Sequence, residues 1–314
     1  MSQFCEANPL VSIIIPCFNA ERWIGQAVDS CLQQTYQNRE VIVIDDGSRD
    51  QSLKRLKQFG NAIRWETGPN YGGCHARNRG LALARGSLIQ FLDSDDFLHP
   101  TKLERQVPEV ARYDDAIVYC DHYSVSPDGE SLLRSEKVLW SDPVEFVLKH
   151  QGLTTIGPLH RRRWLEEVGG FRKGLRASQE LDLHLRLAAA GYRFVHIAEA
   201  LFTVRRRNES VSSNPAISLQ QWAVFMPDLI ETLKSNSGWT DSRRKLFARH
   251  LASAARQVLR NGDRSTGQEL YALATRLDVV AADSAYGKVS RMIKRLVGPY
   301  RLEQMARLRE TLGL

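Results

Sequence analysis

No Cys-x-x-Cys pair, no apolar run of membrane-spanning length and no Gly-x-Gly-x-x-Gly fingerprint occurs in this chain. The five cysteines, Cys5, Cys17, Cys31, Cys74 and Cys120, are odd in number and scattered. They offer neither a disulfide framework nor a zinc site, and they fit a reducing cytosol. A transmembrane helix needs about 20 consecutive apolar residues, which no segment approaches. The first residues lack a basic leader region, and the apolar run from Val11 to Ile15 is too short for a signal-peptide core and ends at Pro16. Without a dinucleotide fingerprint after the first strand, hydride transfer is disfavoured. The expectation is a cytoplasmic globular protein.

What the chain does have is a repeated alternation. Apolar runs at Val11–Ile15, Val41–Ile44 and Ser87–Leu92 read as buried strands, with Ile63–Trp65 as a shorter one. Between them lie helical spacings: Trp23, Ile24, Ala27, Val28, Cys31 and Leu32; then Leu53, Leu56 and Phe59; then Cys74 to Arg85. Ser48 with Gln51 resembles a capping box for the second helix, and Gly86 is the expected stop of the third. Strand and helix alternating in this way predict a parallel α/β sheet with right-handed crossovers. The middle region is less regular, with strands at Ile117–Asp121, Phe194–Ile197 and Leu201–Val204 and helices at Pro143–Lys149, Arg161–Val168 and Ser178–Ala190. Beyond Pro215 the pattern is helical, with segments at Leu219–Lys234, Arg243–Arg260, Thr266–Leu277 and Tyr286–Leu296. A boundary near residue 215 divides the chain into residues 1–214 and 215–314.

Charge is divided unevenly too. From Asp241 to the end there are 15 Lys and Arg against 7 Asp and Glu, so the net +7 belongs wholly to the tail. One reading of the tail is a basic amphipathic surface that makes peripheral contact with anionic lipid at the inner face of a membrane; the other is a helical subdomain with ordinary solvated faces. No aromatic platform accompanies the charge, so nucleic acid is not an expected partner.

The apolar run through Leu92 ends in Asp93-Ser94-Asp95-Asp96. Asp93 and Asp95 leave the same face of extended backbone, at the end of a strand where α/β sheets bind ligands. Like charges that close repel unless a cation or a proton intervenes, and an oxygen-only donor set favours Mg²⁺ or Mn²⁺. An acidic turn before a helix near Pro100 is the plain alternative. Asp45 and Asp46 end a neighbouring strand, where a carboxylate can accept from a nucleobase N–H or ribose hydroxyls.

In order and spacing, Val11–Asn19, Val43–Ser48, Ala76–Gly80 and Phe91–Asp96 resemble the family 2 glycosyltransferases. The likeness continues through Val168-Gly169-Gly170-Phe171 and Glu180–Arg186 and fades after Ser212. It implies a GT-A fold: Rossmann-like α/β, with a mostly parallel central sheet, flanking helices and here a C-terminal helical extension. It implies an inverting transfer of one sugar from a nucleotide-diphospho-sugar, a UDP-sugar first among them, to a saccharide or glycolipid acceptor in bacterial surface polysaccharide or glycolipid assembly. By the same resemblance Pro16 and Asn19 line the nucleotide, Asp46 recognises the base, and Arg77 reaches base or diphosphate. Asp93 and Ser94 meet the donor, and Asp95, assisted by Asp93, holds Mn²⁺ or Mg²⁺. Glu180 occupies the position of the general base where relatives usually carry Asp; Asp182 is the second candidate, or forms an i,i+4 pair with Arg186. Arg207 replaces a histidine of the related motif and suits diphosphate as a fork. The Gln-x-x-Arg-Trp signature of processive synthases is missing, which points to single transfers. A catalytically silent nucleotide-sugar-binding or scaffold protein is the alternative, and a nucleotidyltransferase is a third that lacks its basic activation loop.

Overall fold

A computed structural model describes residues 8–135, 142–149, 153–206 and 215–312. The chain divides into two compact units, one of Met1–Leu175 with Gln179–Ser210, the other of Arg176–Ser178 with Val211–Leu314.

The first unit opens with β1 (Val11–Cys17), α1 (Ile24–Leu32), β2 (Arg39–Asp45), α2 (Ser52–Lys57), β3 (Arg64–Thr67), α3 (Gly73–Leu83) and β4 (Leu88–Phe91). These four strands are parallel, in the order β3-β2-β1-β4. Val11, Ile13, Ile14 and Ile15 are all fully buried, as an unbroken apolar run in a sheet covered on both faces requires. Pro16 stays inside β1 opposite Ile44. The Leu92 N–H donates to the Ile14 carbonyl, so an amide at position 16 would point to the same side, where β4 has already ended. The missing proline N–H therefore breaks no ladder bond. Gly80 brings α3 onto β1: a Cβ there would lie 2.3 Å from Ile14 Cγ2.

The unit continues with β5 (Phe97–Leu98), α4 (Lys102–Arg112), β6 (Ala116–Val125), β7 (Ser131–Arg134), α5 (Pro143–Lys149), β8 (Leu159–Arg161), α6 (Arg162–Glu167), α7 (Gln179–Ala189) and β9 (Arg193–Arg205). The sheet runs β3-β2-β1-β4-β8-β6-β9-β5, with β7 on β6. Among the described residues four strand pairs are parallel and four antiparallel, so the sheet is mixed. The sequence pattern conveys only the parallel half, because β5 and β8 are two and three residues long and carry no readable period. The two strands expected near residue 200 are one, β9. Its register against β6 slips between Cys120 and Asp121, where the partner moves from Ile197 to Ala200, a bulge that mimics a strand break in sequence.

Two local expectations fail. Ser48 does not cap α2: its hydroxyl accepts the Asn19 N–H, and Gln51 at the N-cap makes no side-chain cap bond. Gly86 does not stop α3, which ends at Leu83. It is instead where the chain passes so close to β1 that a Cβ would meet the Leu10 carbonyl at 2.5 Å.

The second unit packs α8 (Pro215–Ser235), α9 (Asp241–Arg260), α10 (Arg264–Leu277), α11 (Val279–Asp283) and α12 (Lys288–Leu312). Thr240, Asp263 and Asp278 cap α9, α10 and α11 by accepting the N–H of Arg243, Thr266 and Ala281. Glu303 on α12 is buried against Arg256 and Arg260 of α9. The last helix runs well past the expected end at Leu296, through a kink at Gly298 (φ 80°) and Pro299. No helix among the described residues is long and apolar enough to cross a membrane.

Candidate active site

Three loops converge at the carboxyl ends of β1, β2 and β4. Asn19, in the left-handed region at φ 48°, stitches the first two together: its N–H donates 2.8 Å to Ser48 Oγ, and its Oδ1 accepts the Arg49 N–H at 2.8 Å. Asp45 is buried and accepts the Thr67 hydroxyl at 2.6 Å and, at 3.3 Å, the Ser48 N–H. Asp46 is buried as well, and its two oxygens accept the N–H groups of Tyr71 and Gly72, each at 2.8 Å. It thereby shapes the loop that leads into α3.

After β4 the chain turns through Asp93–Asp96, with the Asp96 N–H donating to the Asp93 carbonyl at 3.1 Å. Asp93 and Asp95 are partly buried, as is Ser94 between them. Asp96 is buried, and its carboxyl accepts the backbone N–H of Arg205 at 2.7 Å. Burial, and after it the Asp95 and Asp93 charges, push the Asp96 carboxyl well above the usual carboxylate range.

Arg77 is the hub. It lies on α3 and is nearly buried, with Nη2 on Asp93 Oδ1 at 2.5 Å and Nη1 on Gln179 Oε1 at 2.6 Å. Its guanidinium carbon sits 5.3 Å from the centre of the Phe171 ring. Asn78, the next residue, brackets Phe171 by donating to its carbonyl at 2.7 Å and accepting its N–H at 2.8 Å. The motif Ala76–Gly80 is thereby accounted for: Gly80 seats the helix, Asn78 fixes the Phe171 loop, and Arg77 links the acid turn to α7.

On α7, Glu180 is partly buried, and its carboxyl is raised above the ordinary value. Burial is the main cause. A backbone hydrogen bond and Arg77 oppose it, and Asp93 adds to it. Asp182 is in a different situation: it is fully buried and accepts Arg172 Nε at 3.0 Å and Arg186 Nη2 at 2.7 Å. The expected i,i+4 pair with Arg186 is present.

The structure thus joins Arg77, Asp93 and the start of α7 directly, and holds Pro16 at the end of β1 and Asn19 and Asp46 on the adjoining loops. Arg207 lies outside the described residues. Sequence reasoning gave no separate role to Gln179 or to Arg205. Arg205 donates from Nη1 to the Asp95 carbonyl at 2.6 Å and from Nη2 to Gln26. Its guanidinium carbon lies 4.6 Å from the Trp23 ring centre and 5.0 Å from that of Phe97. Trp23 at the head of a helix and Phe97 just after the acids were the available signal for a cation between them. An open groove of about 830 Å³ adjoins this stack, bordered by Gln26 and Asp29 of α1, Arg55 of α2 and Phe97, and does not include the acid turn.

Acids gathered outside the carboxyl ends of parallel strands, with an arginine tying one of them to a helix that bears a second acid, mark an α/β protein whose polar side chains cluster at the rim where open α/β sheets take ligands. The chain belongs to glycosyl transferase family 2, whose family model matches residues 12–173. It is 29% identical over 239 residues to an uncharacterized glycosyltransferase of Rickettsia felis, covering 71% of this chain and 39% of that protein. It is 33% identical over 263 residues to a chondroitin synthase of Pasteurella multocida, covering 76% of this chain and 26% of that one. The chain therefore spans well under half the length of these relatives. The solved structure of S. aureus TarS 1-349 in complex with UDP-GlcNAc superposes with a TM-score of 0.69 at 16% identity, over 96% of this chain and 92% of that one. The likeness establishes the GT-A-type fold with its C-terminal helices.

Proposed function

We propose that this protein is a metal-dependent, inverting glycosyltransferase that moves one sugar from a nucleotide-diphospho-sugar to an acceptor hydroxyl in polysaccharide or glycolipid assembly. The observation that carries the reading is the Arg77 bridge, which fixes Asp93 of the acid turn and the Gln179–Glu180 start of α7 around one guanidinium. A UDP-sugar donor is supported by the TarS structures, which were solved with UDP-GlcNAc and with UDP. A polysaccharide setting is supported by the chondroitin and hyaluronan synthases among the relatives. Cys17, Cys31 and Cys74 are free and buried, which supports a reducing, cytosolic setting.

Among the described residues no three carboxylate, histidine or cysteine side chains form a ready cation site, and it is the chemistry of the acid turn that supports a hard divalent cation. Three carboxylates crowd one turn, burial and after it the charges of Asp95 and Asp93 push the Asp96 carboxyl up, and every side-chain donor in the set is oxygen. Asp95 and Asp93 would hold Mn²⁺ or Mg²⁺, which when bound neutralises the departing diphosphate. The chain's own residues supply the rest. Asp46 and Asn19 set the loops that border the nucleotide, and Asp46 faces its base. Glu180 takes the proton of the acceptor hydroxyl as that oxygen attacks the anomeric carbon opposite the diphosphate; one displacement inverts the centre. A carboxylate with a raised pKa is a stronger base for that proton, and Glu180 meets this condition. Asp182, held by two arginines, orients α7.

Asp95→Asn tests the reading. Donor hydrolysis and transfer with Mn²⁺ should fall about a hundredfold or more while the melting temperature stays put. Undiminished turnover in that variant would remove Asp95 from the site. No turnover of any UDP-sugar by the unaltered protein would leave a binding protein.

A further inference from the structure

The last helix carries buried ions on one side and bare apolar side chains on the other. In its first half Lys294 is buried, bonded to Asp283 and Tyr271. Met292 and Leu296, each two positions away and so roughly 160–200° around the helix, are 65% and 81% exposed. Beyond the kink the pattern repeats. Glu303 is buried between Arg256 and Arg260, while Met305 and Leu308 on the opposite side are 45% and 62% exposed, in line with the exposed Arg301. A polar outer face is the rule for a helix packed on one side, so four exposed Met and Leu side chains call for an occupant.

We propose that the exposed apolar side chains of α12, Met292 and Leu296 before the kink and Met305 and Leu308 after it, dock on the surface of an anionic lipid bilayer. Charge decides the occupant. From Asp241 onward the chain carries 15 basic against 7 acidic residues. The internal pairs just described take Asp283 and Glu303 together with Lys294, Arg256 and Arg260, and still leave the basic residues in clear excess. A second copy presenting the same face would bring like charges together, whereas a sheet of lipid phosphates attracts them. Met and Leu flanked by arginine also suit the boundary between headgroup and acyl chain, where the apolar ends enter and the guanidinium groups stay with phosphate. The helix is too polar to cross, so the contact is peripheral.

Vesicle co-sedimentation of the full chain tests it. Vesicles of phosphatidylcholine with about a third phosphatidylglycerol should pull the protein down, neutral phosphatidylcholine vesicles should not, and raising the salt to about 0.5 M should release it. The double variant Leu296→Glu with Met305→Glu should lower the bound fraction about tenfold or more, and Arg301→Glu alone should weaken partitioning about tenfold while leaving the apolar stripe whole. Circular dichroism confirms that the variants fold. Equal affinity for neutral vesicles, no sedimentation with either kind, or variants that bind like the parent would overturn the proposal. So would a concentration-dependent dimer that the double variant dissolves, with no vesicle binding, since the occupant would then be a second copy.

Discussion

At the scale of single residues the proposed site is set by two arginines. Arg77 takes one oxygen of Asp93 and leaves Glu180 in its field; Arg205 grips the carbonyl of Asp95 while its flat face lies between Trp23 and Phe97. Lysine at position 205 keeps the charge but cannot bond in two directions while stacked. Arg205→Lys should therefore cut kcat about tenfold and raise the Mn²⁺ concentration needed for half activity, with little change in melting temperature; an unchanged metal titration would mean that the turn holds its shape alone. Glu180 makes a second prediction. A base must be deprotonated to work, and its folded pKa is raised above 4.5, chiefly by burial. Activity should accordingly be lost as pH falls through a midpoint higher than that of an ordinary glutamate. Glu180→Gln should remove this limb and lower kcat by about a hundredfold to ten-thousandfold while donor binding persists. If Asp182→Asn does so instead, the base is misassigned, although its two arginine partners argue for a purely positioning role.

At the scale of elements, the sequence shows most where long apolar runs and helical periods act without competition. The strands β1, β2 and β4 and helices α1, α3 and α7 lie where the pattern puts them, because burial on both faces leaves a run of Val and Ile little other use. The antiparallel half was not legible, since β5 and β8 exist only through their partners and are too short to signal for themselves. Ser48 shows the opposite failure. Its spacing to Gln51 is right for a cap, but the Asn19 backbone claims the hydroxyl, and no local rule foresees a partner 29 residues away. Glycine at position 80 is legible only in retrospect, as the contact between α3 and β1. Gly80→Ala should cost about 1–3 kcal/mol in denaturant unfolding, because a methyl group would have to displace Ile14 from a packed face. Activity per folded molecule should fall as well, because Arg77 and Asn78 ride on the same helix.

For the whole molecule, the tally of charge gave the basic tail but not the buried groups that tie stability to pH. His160 is fully buried, its ring stacked 5.6 Å from that of His184 and edge-on to Phe91. Burial first, then His184 and Lys102, drive it well below its ordinary value of 6.5. The unfolded chain takes up this proton near pH 6.5 and the folded chain does not. The contribution to stability is therefore whole above 6.5 and is lost progressively as pH falls below it, by up to about 1.4 kcal/mol per pH unit for the one proton. Lys102 acts in a separate window. Burial lowers it from 10.5 to about 8, so its cost develops between those values and is constant below them. His160→Phe separates the two, since phenylalanine keeps the ring contacts and cannot titrate. Unfolding midpoints measured from about pH 7.5 down to 5.5 should fall less steeply for this variant than for the parent, while the alkaline behaviour set by Lys102 stays the same. Parallel acid limbs would mean that carboxylates, not the buried imidazole, govern acid unfolding.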